Sequence, residues 1–158
     1  MNYDVIVIGS GPGGYVTAIR AAQLGFKVAV VEREKLGGIC LNWGCIPTKS
    51  LLKSAQALEY AKHAADYGVA IDGEVKADFP AMVKRSRNVA DSMSKGIEFL
   101  FKKNKVESIF GTGKLTVKNE VEVTDESGKK KKYTAKHIIL ATGARSRELP
   151  NLKIEIGR

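Results

Sequence analysis

An α/β fold, built on a parallel sheet and carrying an inserted antiparallel β-meander, is predicted by three features of this chain. A glycine-rich loop joins a β-branched run to an alanine-rich helical pattern and then to a second β-branched run, between Tyr3 and Val31. Two long helical patterns follow, Thr48 to Tyr67 and Phe79 to Asn104. From Val106 onward the apolar period changes from helical to alternating, in short runs separated by turn residues.

Tyr3 to Ile8 reads as a strand whose stretch from Val5 onward is apolar and β-branched on consecutive positions, as a parallel strand buried on both faces requires. Tyr15 to Leu24 has helical spacing, and Gly25 stands where a C-terminal cap belongs. Lys27 to Val31 repeats the buried-strand pattern and ends at Glu32, completing a βαβ unit. In the Thr48 to Tyr67 pattern, Leu51, Leu52, Ala55, Leu58 and Ala61 make an apolar face, with Gly68 as the stop. Val69 to Val75 reads as a short extended piece, and the following helix is expected to weaken at Gly96. Val106 to Phe110, Lys114 to Lys118, Glu120 to Thr124 and Lys131 to Thr134 read as the meander, turned by glycines and by Asp125-Glu126-Ser127-Gly128. His137 to Ala141 is a further buried strand running into Thr142-Gly143.

With 158 residues the chain can bury one real core, so residues 1–146 are read as a single domain and 147–158 as a linker. No apolar run approaches the roughly 18–20 residues a membrane helix needs. The start resembles neither a signal nor a transit peptide, so a cytoplasmic location is expected, with a processed mitochondrial-matrix form as the alternative. The net charge of +9 raises the question of nucleic acid. The lysines and arginines are spread over one helix (Lys84, Arg85, Arg87, Lys95, Lys102, Lys103, Lys105) and one turn (Lys129 to Lys132), and the few aromatics do not alternate with them as in a stacking platform. They read as solvated surface or as contacts for an acidic partner, and neither nucleic acid nor membrane is expected as a partner.

Gly9-x-Gly11-x-x-Gly14 fits the dinucleotide fingerprint, and its setting between strand and helix makes the domain Rossmann-like. Gly9 is assigned to the tight turn, Gly11 to backbone approach toward a pyrophosphate, and Gly14 to helix–strand packing. The helix N-terminus offers N–H groups to phosphates, and Glu32 stands where it can accept from ribose hydroxyls. The fingerprint alone does not choose between NAD and FAD.

Cys40 and Cys45, the only two cysteines, lie downstream in Gly37-Gly38-Ile39-Cys40-Leu41-Asn42-Trp43-Gly44-Cys45-Ile46-Pro47-Thr48-Lys49. A loop this short gains little from closure entropy, and cytosolic disulfides are seldom structural. His63 and His137 have no short-range ligand spacing to the cysteines, so no metal is expected. A dithiol/disulfide beside a bound dinucleotide is the chemistry that remains, with a flavin as its partner. On an ideal helix the two side chains would diverge by about 140°, so the first helical turn is expected to be distorted, at Gly44 and Pro47.

The run Gly37 to Leu52 closely resembles the redox-active segment of the pyridine nucleotide-disulfide oxidoreductases, and the resemblance extends over essentially the whole chain. Leu41-Asn42 and Ile46-Pro47-Thr48-Lys49-Ser50-Leu51-Leu52 are similar to the branch that oxidises dihydrolipoamide with NAD+; Ile39 and Trp43 differ from the commonest residues there. A glutathione- or mercuric-reductase-like flavoprotein is the first alternative, and a non-catalytic dinucleotide-binding module the second. The resemblance implies a Rossmann-like FAD-binding domain with a parallel sheet and an inserted antiparallel β-meander. It implies FAD as cofactor, with NAD+ used by the full-length parent. It implies a Cys40–Cys45 redox disulfide, with Cys40 as the substrate-exchanging sulfur and Cys45 as the sulfur nearer the flavin. Lys49 would stabilise the reduced flavin ring. Gly37, Gly38, Gly113, Thr142 and Gly143 would contact FAD, as would Pro12, Gly13, Arg33, Ile39, Cys40 itself and Ala144. Implied partners are the lipoyl domain of 2-oxoacid dehydrogenase or glycine-cleavage complexes, and a second copy in a homodimer. Residues 1–146 would be the N-terminal part of the FAD-binding domain, and 147–158 a stub toward an NAD-binding domain. A second fingerprint and the His–Glu pair of the family's interface domain are not in the sequence, so this chain alone is expected not to turn over. His63 and His137 are expected to be structural.

Overall fold

The computed structural model describes residues 2–144, Arg147 and Pro150, so the linker expected over 147–158 lies almost wholly outside the described residues. The strands are β1 (Tyr3–Ile8), β2 (Val28–Glu32), β3 (Glu107–Phe110), β4 (Thr112–Leu115), β5 (Glu120–Thr124) and β6 (Lys130–Leu140). The helices are α1 (Pro12–Gln23), α2 (Gly38–Asn42), α3 (Cys45–Lys62) and α4 (Phe79–Lys103), with a 3-10 turn at Ala64–Tyr67. The strands form one sheet in the order β3-β2-β1-β6-β5-β4. β1 pairs in parallel with β2 on one side and β6 on the other, and β2 pairs in parallel with β3. β4, β5 and the first half of β6 are antiparallel. The expected α/β class, a parallel sheet with an attached meander, is the one observed.

The apolar runs Val5 to Ile8 in β1 and Val28 to Val31 in β2 are explained by burial on both faces. Val5, Val7, Val28 and Val30 meet Ala18, Leu36, Leu41, Ile97 and Phe101 in a core closed by helices. Ile6, Ile8, Ala29 and Val31 meet Ile109, Val121, Val123 and Ala135 in a second core closed by the meander.

Several expected boundaries are corrected. Val106 to Phe110 does not belong to the meander: Glu107–Phe110 is the parallel edge strand β3, and Gly111 N–H continues that ladder to the Glu32 carbonyl at 2.8 Å. So short an alternating run carries no information about the direction of its neighbour. Lys131 to Thr134 and His137 to Ala141 are one strand, β6, whose first half serves the meander and whose second half serves the parallel sheet. The run expected over Lys114 to Lys118 sits earlier, as β4, with Asn119 in a left-handed turn at φ 66°. Val69 to Val75 forms no strand. α1 begins at Pro12, where proline's missing N–H costs nothing. α3 begins at Cys45 and ends at Lys62, and α4 passes Gly96 unbroken. Lys130 and Lys132 lie on the exposed surface as expected, in β6 and not in the turn, and there pair with Glu122 (3.1 Å) and Glu120 (3.0 Å).

Candidate redox and dinucleotide site

β1 has different neighbours on its two sides, β2 and β6, and a cleft opens beyond the carboxyl ends of these strands, the position where open α/β sheets receive ligands. Its volume is about 580 Å³. Gly9 leaves β1 at φ +99°, and a Cβ there would collide with the Ala141 carbonyl. A Cβ on Gly14 would collide with the Gly9 carbonyl, so α1 packs against its strand only because that residue has no side chain. Around Gly11, by contrast, a Cβ would meet nothing within 4 Å. That position faces open space, and the N-terminus of α1 carries no side-chain cap, so its first N–H groups are left for a ligand.

Ser10 ties this loop together. It is fully buried; its N–H and hydroxyl both donate to Glu32 Oε2, at 2.9 and 2.6 Å, and the hydroxyl accepts from Gly37 N–H at 3.2 Å. Glu34 N–H holds the other oxygen of Glu32 at 2.9 Å. The carboxylate expected to take ribose hydroxyls is thus fixed in orientation, with acceptor capacity remaining. Ser10 was not anticipated from sequence, and the available signal was a small polar residue inside the glycine fingerprint.

The cysteines are joined as a disulfide, Cα–Cα 4.7 Å, and both line the cleft. Instead of the distorted first turn expected from sequence, the chain breaks between two helices. Cys40 lies in α2, Cys45 opens α3, and Trp43-Gly44 separates them. Gly44 permits the return, because a Cβ there would stand 3.1 Å from the Ile39 carbonyl and 3.3 Å from Cys40 Cα. Cys40 is half-buried against the helical core, while Cys45 is exposed to the cleft. Buried Asn42 holds the entry to α2: its Nδ2 donates to the carbonyls of Leu36 and Gly38, both at 3.0 Å.

Of the expected contact residues, Gly9, Gly11, Pro12, Glu32, Arg33, Gly38, Ile39, Cys40, Cys45, Gly113, Thr142, Gly143 and Ala144 line the cleft together. Gly13, Gly14, Gly37 and Lys49 do not. Gly14 packs against the Gly9 carbonyl and Gly37 against Leu41, and Lys49 is exposed on α3 one turn beyond Cys45. The cleft also includes Trp43 and Gly44 of the cysteine segment, and Glu34, Lys35, Gly111 and Thr112, which spacing arguments did not single out.

The description "pyridine nucleotide-disulphide oxidoreductase" belongs to the family that matches residues 3–156. The chain belongs to this family. Family membership implies FAD as the cofactor. A dihydrolipoyl dehydrogenase of Rhizobium etli is 53% identical across 96% of this chain, which covers 34% of that protein. One from Zymomonas mobilis is 53% identical across 96% of the chain, covering 32% of its own length. The mitochondrial dihydrolipoyl dehydrogenase 1 of Arabidopsis thaliana is 47% identical, again across 96% of this chain and 30% of its own. The chain spans about a third of the length of the curated relatives it matches. Among the described residues, no helix is long and apolar enough to cross a membrane.

The residues present fit the family's cofactor. An uncapped helix N-terminus suits a pyrophosphate, and a pre-oriented carboxylate suits a ribose. The glycine walls permit close approach: a Cβ on Gly38 would stand 2.8 Å from Gly11 Cα.

Proposed function

We propose that this chain is the FAD-binding, disulfide-bearing portion of a dihydrolipoamide dehydrogenase, an enzyme that oxidises dihydrolipoamide with NAD+. The observation that carries the reading is the placement of Cys40–Cys45 in the wall of the cleft that the glycine fingerprint opens. The uncapped start of α1 would hold the pyrophosphate and Glu32 the adenosine ribose, with Gly38, Gly113 and Thr142-Gly143 as the closely approaching walls. When bound, FAD supplies a two-electron relay between the sulfur pair and NAD+.

The chain's own chemistry is thiol–disulfide exchange. A substrate thiolate attacks Cys40 Sγ, the Cys40–Cys45 bond breaks, and Cys45 leaves as a thiolate. The second substrate thiol then displaces Cys40, so the substrate departs as a cyclic disulfide and both cysteines are reduced. Lys49, one helical turn from Cys45, would set positive charge toward the site. In the whole protein the partners would be the lipoyl domains of 2-oxoacid dehydrogenase or glycine-cleavage complexes, and a second subunit. Residues 147–158 would lead toward the NAD-binding domain.

Incubating the native chain with dihydrolipoamide and counting thiols after removal of the reagent tests this reading. Two new thiols per chain are expected, together with a flavin absorption band on adding FAD that dithionite bleaches. No thiols gained by a chain whose disulfide yields to dithiothreitol would overturn the assignment of substrate. No NAD+ reduction is expected from this chain alone.

A further inference from the structure

Three side chains of α4 reach across to the segment that carries the disulfide. Ser94 Oγ donates to the Leu36 carbonyl at 2.8 Å, just before α2. Arg87 Nη1 donates to the Asn42 carbonyl at 3.2 Å, at the last residue of α2. Arg85 Nη1 donates to the Ser50 carbonyl (2.9 Å), Ser50 Oγ (2.8 Å) and Ser54 Oγ (3.2 Å), in the first turns of α3. Neither guanidinium has a carboxylate within salt-bridge distance among the described residues. In both arginines Nη1 donates to the redox segment, while Arg87 Nε meets Ser86 Oγ on α4 itself at 3.5 Å.

The break between α2 and α3 is what allows the two sulfurs to meet, and the Asn42 carbonyl lies at its edge. A carbonyl at a helix C-terminus lacks its intrahelical donor, and a guanidinium both satisfies it and complements the negative end of the helix. Arg87 thus holds the helix that carries Cys40, while Arg85 holds the helix that begins with Cys45. Both hang from one continuous helix, which is itself anchored in the core by Phe101 and Ile97.

We propose that Arg85 and Arg87 are positioning residues for the redox pair: α4 fixes α2 and α3 at the separation at which Cys40 and Cys45 bond, and so sets the thiol–disulfide equilibrium. By linkage, an interaction that favours the bonded geometry raises the effective concentration of one thiol at the other and favours the disulfide. The proposal rests on the redox reading of the cysteine pair.

The test is equilibration of the 158-residue chain in mixtures of reduced and oxidised dithiothreitol, with alkylation and mass measurement of the dithiol fraction. In this exchange the two dithiothreitol thiols close to a cyclic disulfide while Cys40–Cys45 opens to two thiols, so atoms and electrons balance without another reductant. Arg87→Met is expected to shift the equilibrium toward the dithiol by about tenfold, the size of one charge-assisted hydrogen bond. Arg87→Lys, which keeps a cationic donor, should recover most of that shift. Lys84→Met, which removes a neighbouring charge on the same helix, should shift it by less than about threefold. A shift under about threefold for Arg87→Met, or an equal one for Lys84→Met, overturns the proposal. Should Arg87→Met fail to fold, Arg85→Met is judged by the same criteria. A parent chain whose disulfide does not exchange at all would instead overturn the redox reading beneath it.

Discussion

Gly11 and Gly14 belong to one motif and do opposite things. Gly14 is internal packing: a Cβ there meets the Gly9 carbonyl. Gly14→Ala should therefore cost about 1–3 kcal/mol, read as a lowered thermal midpoint. Gly11 faces the cleft, so Gly11→Val should leave the midpoint almost unchanged while removing the flavin band acquired with FAD. Equal effects on both properties from both variants would contradict this division. The cysteines separate in the same way. Oxidised lipoamide added to Cys45→Ser should trap a mixed disulfide at Cys40, seen by mass, several-fold faster than Cys40→Ser traps one at Cys45. Equal trapping would leave the two sulfurs without distinct roles, a live comparison because Cys45 is the more exposed.

Elements depend on their ends and cross-strand partners. Asp78 caps α4 by accepting from Ala81 N–H at 3.0 Å, and Asp78→Ala should cost about 1 kcal/mol, measured by denaturant unfolding. In the meander, a hydrogen bond from Thr116 and then Lys132 hold the Glu120 carboxyl below the usual carboxylate range. A depressed folded value means that this stability is present above the ordinary glutamate pKa and is lost as pH falls through the folded one. Melting temperature should accordingly fall below about pH 4.5, and Glu120→Gln should flatten that part of the curve. An unchanged slope would show that the pair contributes nothing. The element least legible in sequence was α2. A five-residue helix leaves too little periodicity to detect, and its existence is set by the packing of Leu41 and by the hydrogen bonds of Asn42.

Across the whole molecule, Phe101 joins α4 to the parallel sheet at 1% exposure. Phe101→Ala should cost about 3–5 kcal/mol. Because α4 also carries the arginines that hold α2 and α3, the same change should make Cys40–Cys45 more readily reduced wherever the chain remains folded. Calorimetry and thiol counting on one sample would show whether the two losses run together.

The fingerprint, the acid at Glu32 and the cysteine pair were all legible in the sequence, because each depends on residue type at short spacing, which local sterics and chemistry dictate. So were the buried strands β1 and β2, whose consecutive apolar residues Val5 to Ile8 and Val28 to Val31 call for a two-sided core. Only the tertiary structure decided that Val106 to Phe110 joins the parallel sheet, that β6 serves two pairings, and that a helix break brings the sulfurs together. It alone placed Ser10 between Glu32 and Gly37, and Arg85 and Arg87 against carbonyls far away in the chain. Strand direction and long-range donor–acceptor pairing depend on which distant segments meet. Local propensity contains no term for that.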